Sequence, residues 1–94
     1  MRYAIVLAPE AIHDLKRLEP RLRSQVTDAM ETHLRHEPTK TSKSRIKRFR
    51  GLTKPQYRLS VDAIRVFYDV SRREVEILAI VMKADAEAMA REGR

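Results

Sequence analysis

Hydrophobic positions change period twice along the chain. Tyr3, Ile5 and Leu7 alternate with Ala4, Val6 and Ala8, and both sets are apolar. That is the pattern of a short buried strand. Pro9 suits the first turn of a helix, with Glu10 favourable near its positive end. Ile12, Leu15 and Leu18 follow at spacings of three, one face of a helix. Pro20 closes this segment and opens a second, in which Leu22, Val26, Ala29, Met30 and Leu34 recur at helical spacing. Pro38 stops it. The two segments form a helical hairpin joined at Glu19-Pro20.

Between Pro38 and Pro55 periodicity fades. Ile46, Phe49 and Leu52 are the few anchors, and Gly51 permits a bend. A loop is expected, with a short strand near residues 46–49. Period two then returns. Tyr57, Leu59 and Val61 alternate with Arg58 and Ser60. Ile64, Val66, Tyr68 and Val70 alternate with Arg65, Phe67 and Asp69. Val75, Ile77, Ala79 and Val81 alternate with Glu76, Leu78, Ile80 and Met82. β-branched and aromatic residues dominate, which indicates three strands. Their connections, at Asp62-Ala63 and residues 71–74, are short enough for antiparallel hairpins. The last strand is apolar on both faces and belongs inside a sheet. Asp85 is placed to cap a short helix over residues 86–91, with Met89 its only large apolar residue. The order β-α-α-β-β-β-α gives an α+β fold: a small antiparallel-rich sheet with the helical hairpin packed on one face. Its 94 residues make a single domain, 1–94.

Strand alternation also assigns faces. Tyr57, Leu59, Ile64, Val66, Tyr68, Ile77 and Val81 are expected beneath the helices. Arg58, Ser60, Arg65, Phe67, Leu78 and Ile80 then share the other face. With Asp62-Ala63 as a two-residue turn, Ser60 lies opposite Arg65, and Arg58 opposite Phe67. The two arginines become diagonal neighbours, roughly 5–8 Å apart at Cβ. Two guanidinium groups so close repel each other unless an anion lies between them, so the pair favours a phosphate.

Composition sharpens that expectation. The net charge is +7, yet residues 38–61 hold eight positive charges and no acid, so the rest of the chain sums to −1. A local excess of this kind is the footprint of a polyanion partner. There is no cysteine, hence no disulfide framework and no thiolate zinc site. No run approaches the roughly 20 apolar residues that span a bilayer. A cytoplasmic protein without membrane attachment is expected. No metal-ligand spacing, glycine-rich phosphate loop or Ser-His-Asp arrangement is present, so neither metal nor other cofactor is expected. His13, His33 and His36 all fall in the helical hairpin, away from the arginine-bearing face, and read as surface or packing residues.

Taken together, Tyr57-Arg58-Leu59, then Ile64-Arg65-Val66-Phe67-Tyr68-Asp69-Val70, then Val75-Glu76-Ile77-Leu78-Ala79-Ile80, resemble the core of RelE/ParE superfamily toxins. The leading Ala8-Pro9-Glu10-Ala11 and the Leu15–Leu18 spacing fit the same pattern, so the resemblance covers nearly the whole chain. It implies a toxin of a type II toxin–antitoxin system, bound by a cognate antitoxin, with higher-order complexes of the pair on operator DNA. The RelE branch implies a metal-independent endoribonuclease, an mRNA interferase that cuts messenger RNA on the ribosome and inhibits translation. Arg65 then matches the residue that stabilises charge on the scissile phosphate, and Arg58 a basic position one strand earlier. Lys54 or Lys83 is available to shuttle a proton. Lys47, Arg48 and Arg50 are expected to dock on RNA together with Lys83, and Phe67 to stack on a base. The chain departs from that branch at Ser60, where a further basic residue is usual. It departs again after Lys83, where no Tyr or His follows. Two alternatives therefore stay open. One is a ParE-like inhibitor of DNA gyrase without nuclease chemistry. The other is a degenerate toxin that acts as an antitoxin- and operator-binding module.

Overall fold

Pro9 and Pro20 each stand at the start of a helix, and each is preceded by an extended residue, Ala8 and Glu19. Proline enforces both features, since its ring suits the first helical turn and pushes its predecessor out of the α region. The computed structural model describes residues 2–51 and 53–92, with the side chains of the last helix described up to Ala88. The anchoring expected of Leu52, and the side chain of Met89 in the last helix, lie outside what is described. The elements run β1 (Ala4–Leu7), α1 (Pro9–Arg17), α2 (Pro20–Leu34), β2 (Ile46–Arg48), β3 (Tyr57–Val61), β4 (Ile64–Val70), β5 (Glu74–Met82) and α3 (Lys83–Glu92). The expected α+β fold is present, and the basic loop does hold a short strand.

The sheet order is β1-β5-β4-β3-β2. β1 pairs in parallel with β5, and the other neighbours are antiparallel. β5 is thus interior, as its two apolar faces require. β1 is an edge strand, and Ala4 and Val6 are exposed, so only one of its faces is buried. The helical hairpin is locked by Arg23 of α2, whose guanidinium donates to the carbonyls of Leu15 (3.3 Å), Lys16 (3.3 Å) and Leu18 (2.9 Å). Carbonyls at a helix C-terminus have no partner inside the helix, so a cation there closes α1.

The core joins Val26, Met30 and Leu34 of α2 to Leu59, Val66, Tyr68, Val75 and Ile77 of the sheet. In α1 the buried phase is shifted by one from the expected one. Ala11 is fully buried, with Leu15 and Leu18 packed behind it, while Ile12 is 42% exposed. Ala11, Leu15 and Leu18 follow the i, i+4, i+7 stripe, which turns Ile12 outward. Tyr68 is buried and its hydroxyl donates to the Pro38 carbonyl at 2.6 Å. Burial in apolar surroundings pushes its pKa well above the ordinary tyrosine value.

The β3–β4 hairpin has the expected register, Val61 opposite Ile64 and Ser60 opposite Arg65. Asp62 takes the left-handed turn position at φ +51°. One face assignment is overturned. A bulge next to Phe67 and Tyr68 sets Phe67 opposite Ala79 but Tyr68 opposite Ile77, leaving Leu78 as the extra residue. Beyond it the faces of β5 exchange. Ile80 pairs with Val66 and is buried at 4% exposure, whereas Val81 pairs with Arg65 on the open face. One inserted residue reverses every later side chain of a strand. Past the end of β1, the Ile80 N–H is taken by the Asp14 carboxylate of α1 at 2.9 Å.

The last helix also starts earlier than expected. The Lys83 N–H donates to the Ala63 carbonyl at 2.6 Å, and α3 begins at that residue. Asp85 therefore lies inside the first turn, where its charge favours the helix dipole, and does not act as the cap.

Candidate functional site

The open face of the sheet is built by alternation on β3, β4 and β5. Arg58 stands opposite Phe67, and Ser60 opposite Arg65, so the two arginines are diagonal neighbours. Lys47 of β2 stands opposite Arg58 and extends the face outward. A cavity of about 200 Å³ opens here, lined by Phe49, Arg58, Arg65, Phe67, Lys83 and Glu87. The rings of Phe49 and Phe67 stack with centroids 5.9 Å apart.

The two guanidinium groups are held differently. Arg65 donates from one nitrogen to the carbonyls of Asp62 (2.7 Å) and Ile64 (3.0 Å). The turn residue that it grips is itself hydrogen-bonded by Gln25 of α2. Arg58 is half-buried, and its Nε is enclosed without a hydrogen-bond partner, as is the Ser60 hydroxyl. Burial first, and the neighbouring Arg65 charge second, lower the Arg58 pKa. A guanidinium stays charged at neutral pH even so. The result is a desolvated, under-satisfied cation beside a second cation, an arrangement that an anion would stabilise. Asp69 shares the strand but not this task. Its carboxylate accepts from the Gln56 N–H at 2.8 Å, in a network that continues from the Gln56 side chain to the Val70 N–H.

Of the residues singled out in the sequence, Arg58, Arg65, Phe67 and Lys83 converge on one cavity. Lys54 lies outside it, with its ammonium 3.8 Å from Glu76. Arg48 points to the other side of β2. Its guanidinium donates to the Tyr57 hydroxyl at 2.8 Å and sits 5.1 Å from that ring's centroid. Lys47, Arg48 and Arg50 instead border a separate cavity of about 490 Å³. Phe49 and Glu87 are cavity residues that the sequence pattern did not assign to the site. For Glu87, the spacing of four from Lys83 on a helix was the available signal. Among the described residues, no three His, Cys, Asp or Glu side chains come together to hold a metal. No helix among them is long and apolar enough to cross a membrane.

The family model for the ParE toxin of the type II toxin–antitoxin system parDE matches residues 5–86. The chain belongs to this toxin family. Solved structures of RelE-type toxins share its fold. The RelBE2 toxin–antitoxin complex of Mycobacterium tuberculosis aligns with TM-score 0.74 at 21% identity, over 87% of this chain and 99% of that one. The archaeal RelE–RelB complex of Pyrococcus horikoshii gives 0.72 at 20%, over 88% and 97%. The isolated RelE toxin of E. coli gives 0.71 at 18%, over 95% and 97%. Comparison with curated protein sequences gives no significant match. Within this toxin, the arginine pair lies on the sheet face opposite the helical hairpin.

Proposed function

We propose that this toxin cuts messenger RNA on the ribosome without a metal, and that Arg58 and Arg65 hold the scissile phosphate. The observation that carries this reading is the enclosed, unpartnered Nε of Arg58 beside Arg65 on an open face. Two such guanidinium groups would stabilise the charge that builds on a phosphorane, in a site where water screens them less. Phe67, stacked on Phe49, offers an aromatic surface next to the phosphate position for an unstacked base. Cleavage also requires a proton to leave the 2′-hydroxyl and another to reach the leaving oxygen. Among the described residues that line the cavity, Glu87 and Lys83 are the two able to exchange one. The ribosome would orient the 2′-hydroxyl, so free RNA is a poor substrate. A cognate antitoxin, by this reading, presents an acidic amphipathic segment to the basic surface. The structures with a similar fold include toxin–antitoxin complexes.

The match to the ParE family model favours a second reading, inhibition of DNA gyrase without chemistry. A cell-free translation reaction with primer extension separates the two. Cuts that map to codon positions and require ribosomes support the nuclease. Intact message together with accumulated gyrase cleavage complexes supports the gyrase inhibitor.

A further inference from the structure

We propose that a groove round the β2 edge is a second nucleic-acid backbone site, with a phosphate pocket formed by His33, Lys40 and Arg45 on the helix side of the sheet. It rests on the nucleic-acid reading of the open face but not on cleavage. The pocket is a cavity of about 250 Å³ between the end of α2 and residues 40–46. Three hydroxyls, of Thr32, Thr41 and Ser42, line it along with the cations. Its one acid, Glu37, is 3.9 Å from Lys40, which leaves Arg45 with no carboxylate partner among the described residues.

Local folding holds the pocket open to an anion. The Ser42 hydroxyl accepts from the Arg45 N–H (3.0 Å) and the Ile46 N–H (3.4 Å), and the Ser42 N–H donates to the Ile46 carbonyl (2.9 Å). Burial first, and second the charge of Arg45 across the pocket, lower the His33 pKa. The cavity shares Thr41, Ser42 and Ile46 with the larger one that Lys47, Arg48 and Arg50 border. The two form one groove round an edge strand. Lys47, opposite Arg58, leads from it to the open face.

The chemistry favours a sugar-phosphate backbone over an acidic peptide. Cations and hydroxyls are the donors that phosphate oxygens use. Among the described residues, Ile46, 4% exposed, is the only large apolar one lining either cavity, which offers an amphipathic helix little to bury. The groups facing His33 are Arg45, Lys40 and Glu37. A phosphate among them would raise the His33 titration midpoint.

The test is NMR of the histidine rings in the full chain, titrated in parallel with inorganic phosphate and with a short single-stranded RNA. RNA is expected to move the His33 signals and raise their midpoint. Arg45→Gln and Lys40→Gln should each reduce the slope of log affinity against log salt by about 0.7. If RNA binds with His33 unmoved and both slopes unchanged, the pocket is not a site, while the open-face reading survives. If inorganic phosphate moves His33 and RNA does not, the pocket takes a free anion and the backbone assignment is wrong. If RNA does not bind at all, the inference and the reading beneath it both fail.

Discussion

Tyr68 and Arg58 show at residue scale how the same sheet serves the core on one side and a site on the other. Tyr68 is sealed, and its hydroxyl has the Pro38 carbonyl. Tyr68→Phe leaves that buried carbonyl without its donor and should cost about 1–3 kcal/mol, read by urea unfolding. The pH dependence has a definite sign. The folded pKa is raised, so the neutral hydroxyl's contribution is complete below the ordinary tyrosine value of 10.0 and is lost as pH climbs towards the folded value. Stability should fall above pH 10, and by less in Tyr68→Phe. Arg58 is the opposite case, a half-buried cation whose Nε has no partner. That Arg58 and Arg65 share a face was legible in the sequence, because a two-residue turn fixes the parity of both strands. Phe49 was not legible as a cavity residue, because only tertiary placement of the basic segment brings it there, and for Glu87 the helical spacing from Lys83 says nothing of where α3 lies.

Elements were readable where a local rule dominates. Prolines set the helix starts, period two gave the strands, and the β3–β4 register followed from the Asp62-Ala63 turn. Two errors were one-residue phase errors of different origin. In α1, helical geometry selects Ala11 over Ile12, and the alanine is small enough to hide from a count of large apolar residues. In β5, the bulge at Leu78 exchanges Ile80 and Val81, and nothing in a uniformly apolar run marks where the extra residue falls. The structure shows what accompanies it, the Asp14 carboxylate on the Ile80 N–H. Asp14→Ala should lower stability by about 1–2 kcal/mol and speed hydrogen exchange at the Ile80 amide. Arg23→Ala removes three contacts to the end of α1 and should cost a similar amount, about 1–2 kcal/mol, with exchange rising first in α1. If either variant unfolds at the wild-type urea midpoint, the corresponding lock is not structural.

At the scale of the whole molecule, the charge excess of residues 38–61 is divided by the sheet. Lys47, Arg58 and, by continuity of strand and helix, Arg65 and Lys83 belong to the open face, while Arg48 turns to the other side. A sequence count of eight cations could not see that division, since β2 is only three residues long and its register is set by pairing with β3. The helical hairpin closes one face, and the arginine pair is left on the other. That placement is the central claim, and substitution of the pair tests it most directly. Wild type, Arg58→Ala and Arg65→Ala are compared for ribosome-dependent message cleavage by primer extension, with circular dichroism to verify the fold. Each substitution should reduce the cleavage rate by about 10²–10³-fold while the fold is kept. Cleavage at the wild-type rate by both variants would contradict the assignment of this face as the site.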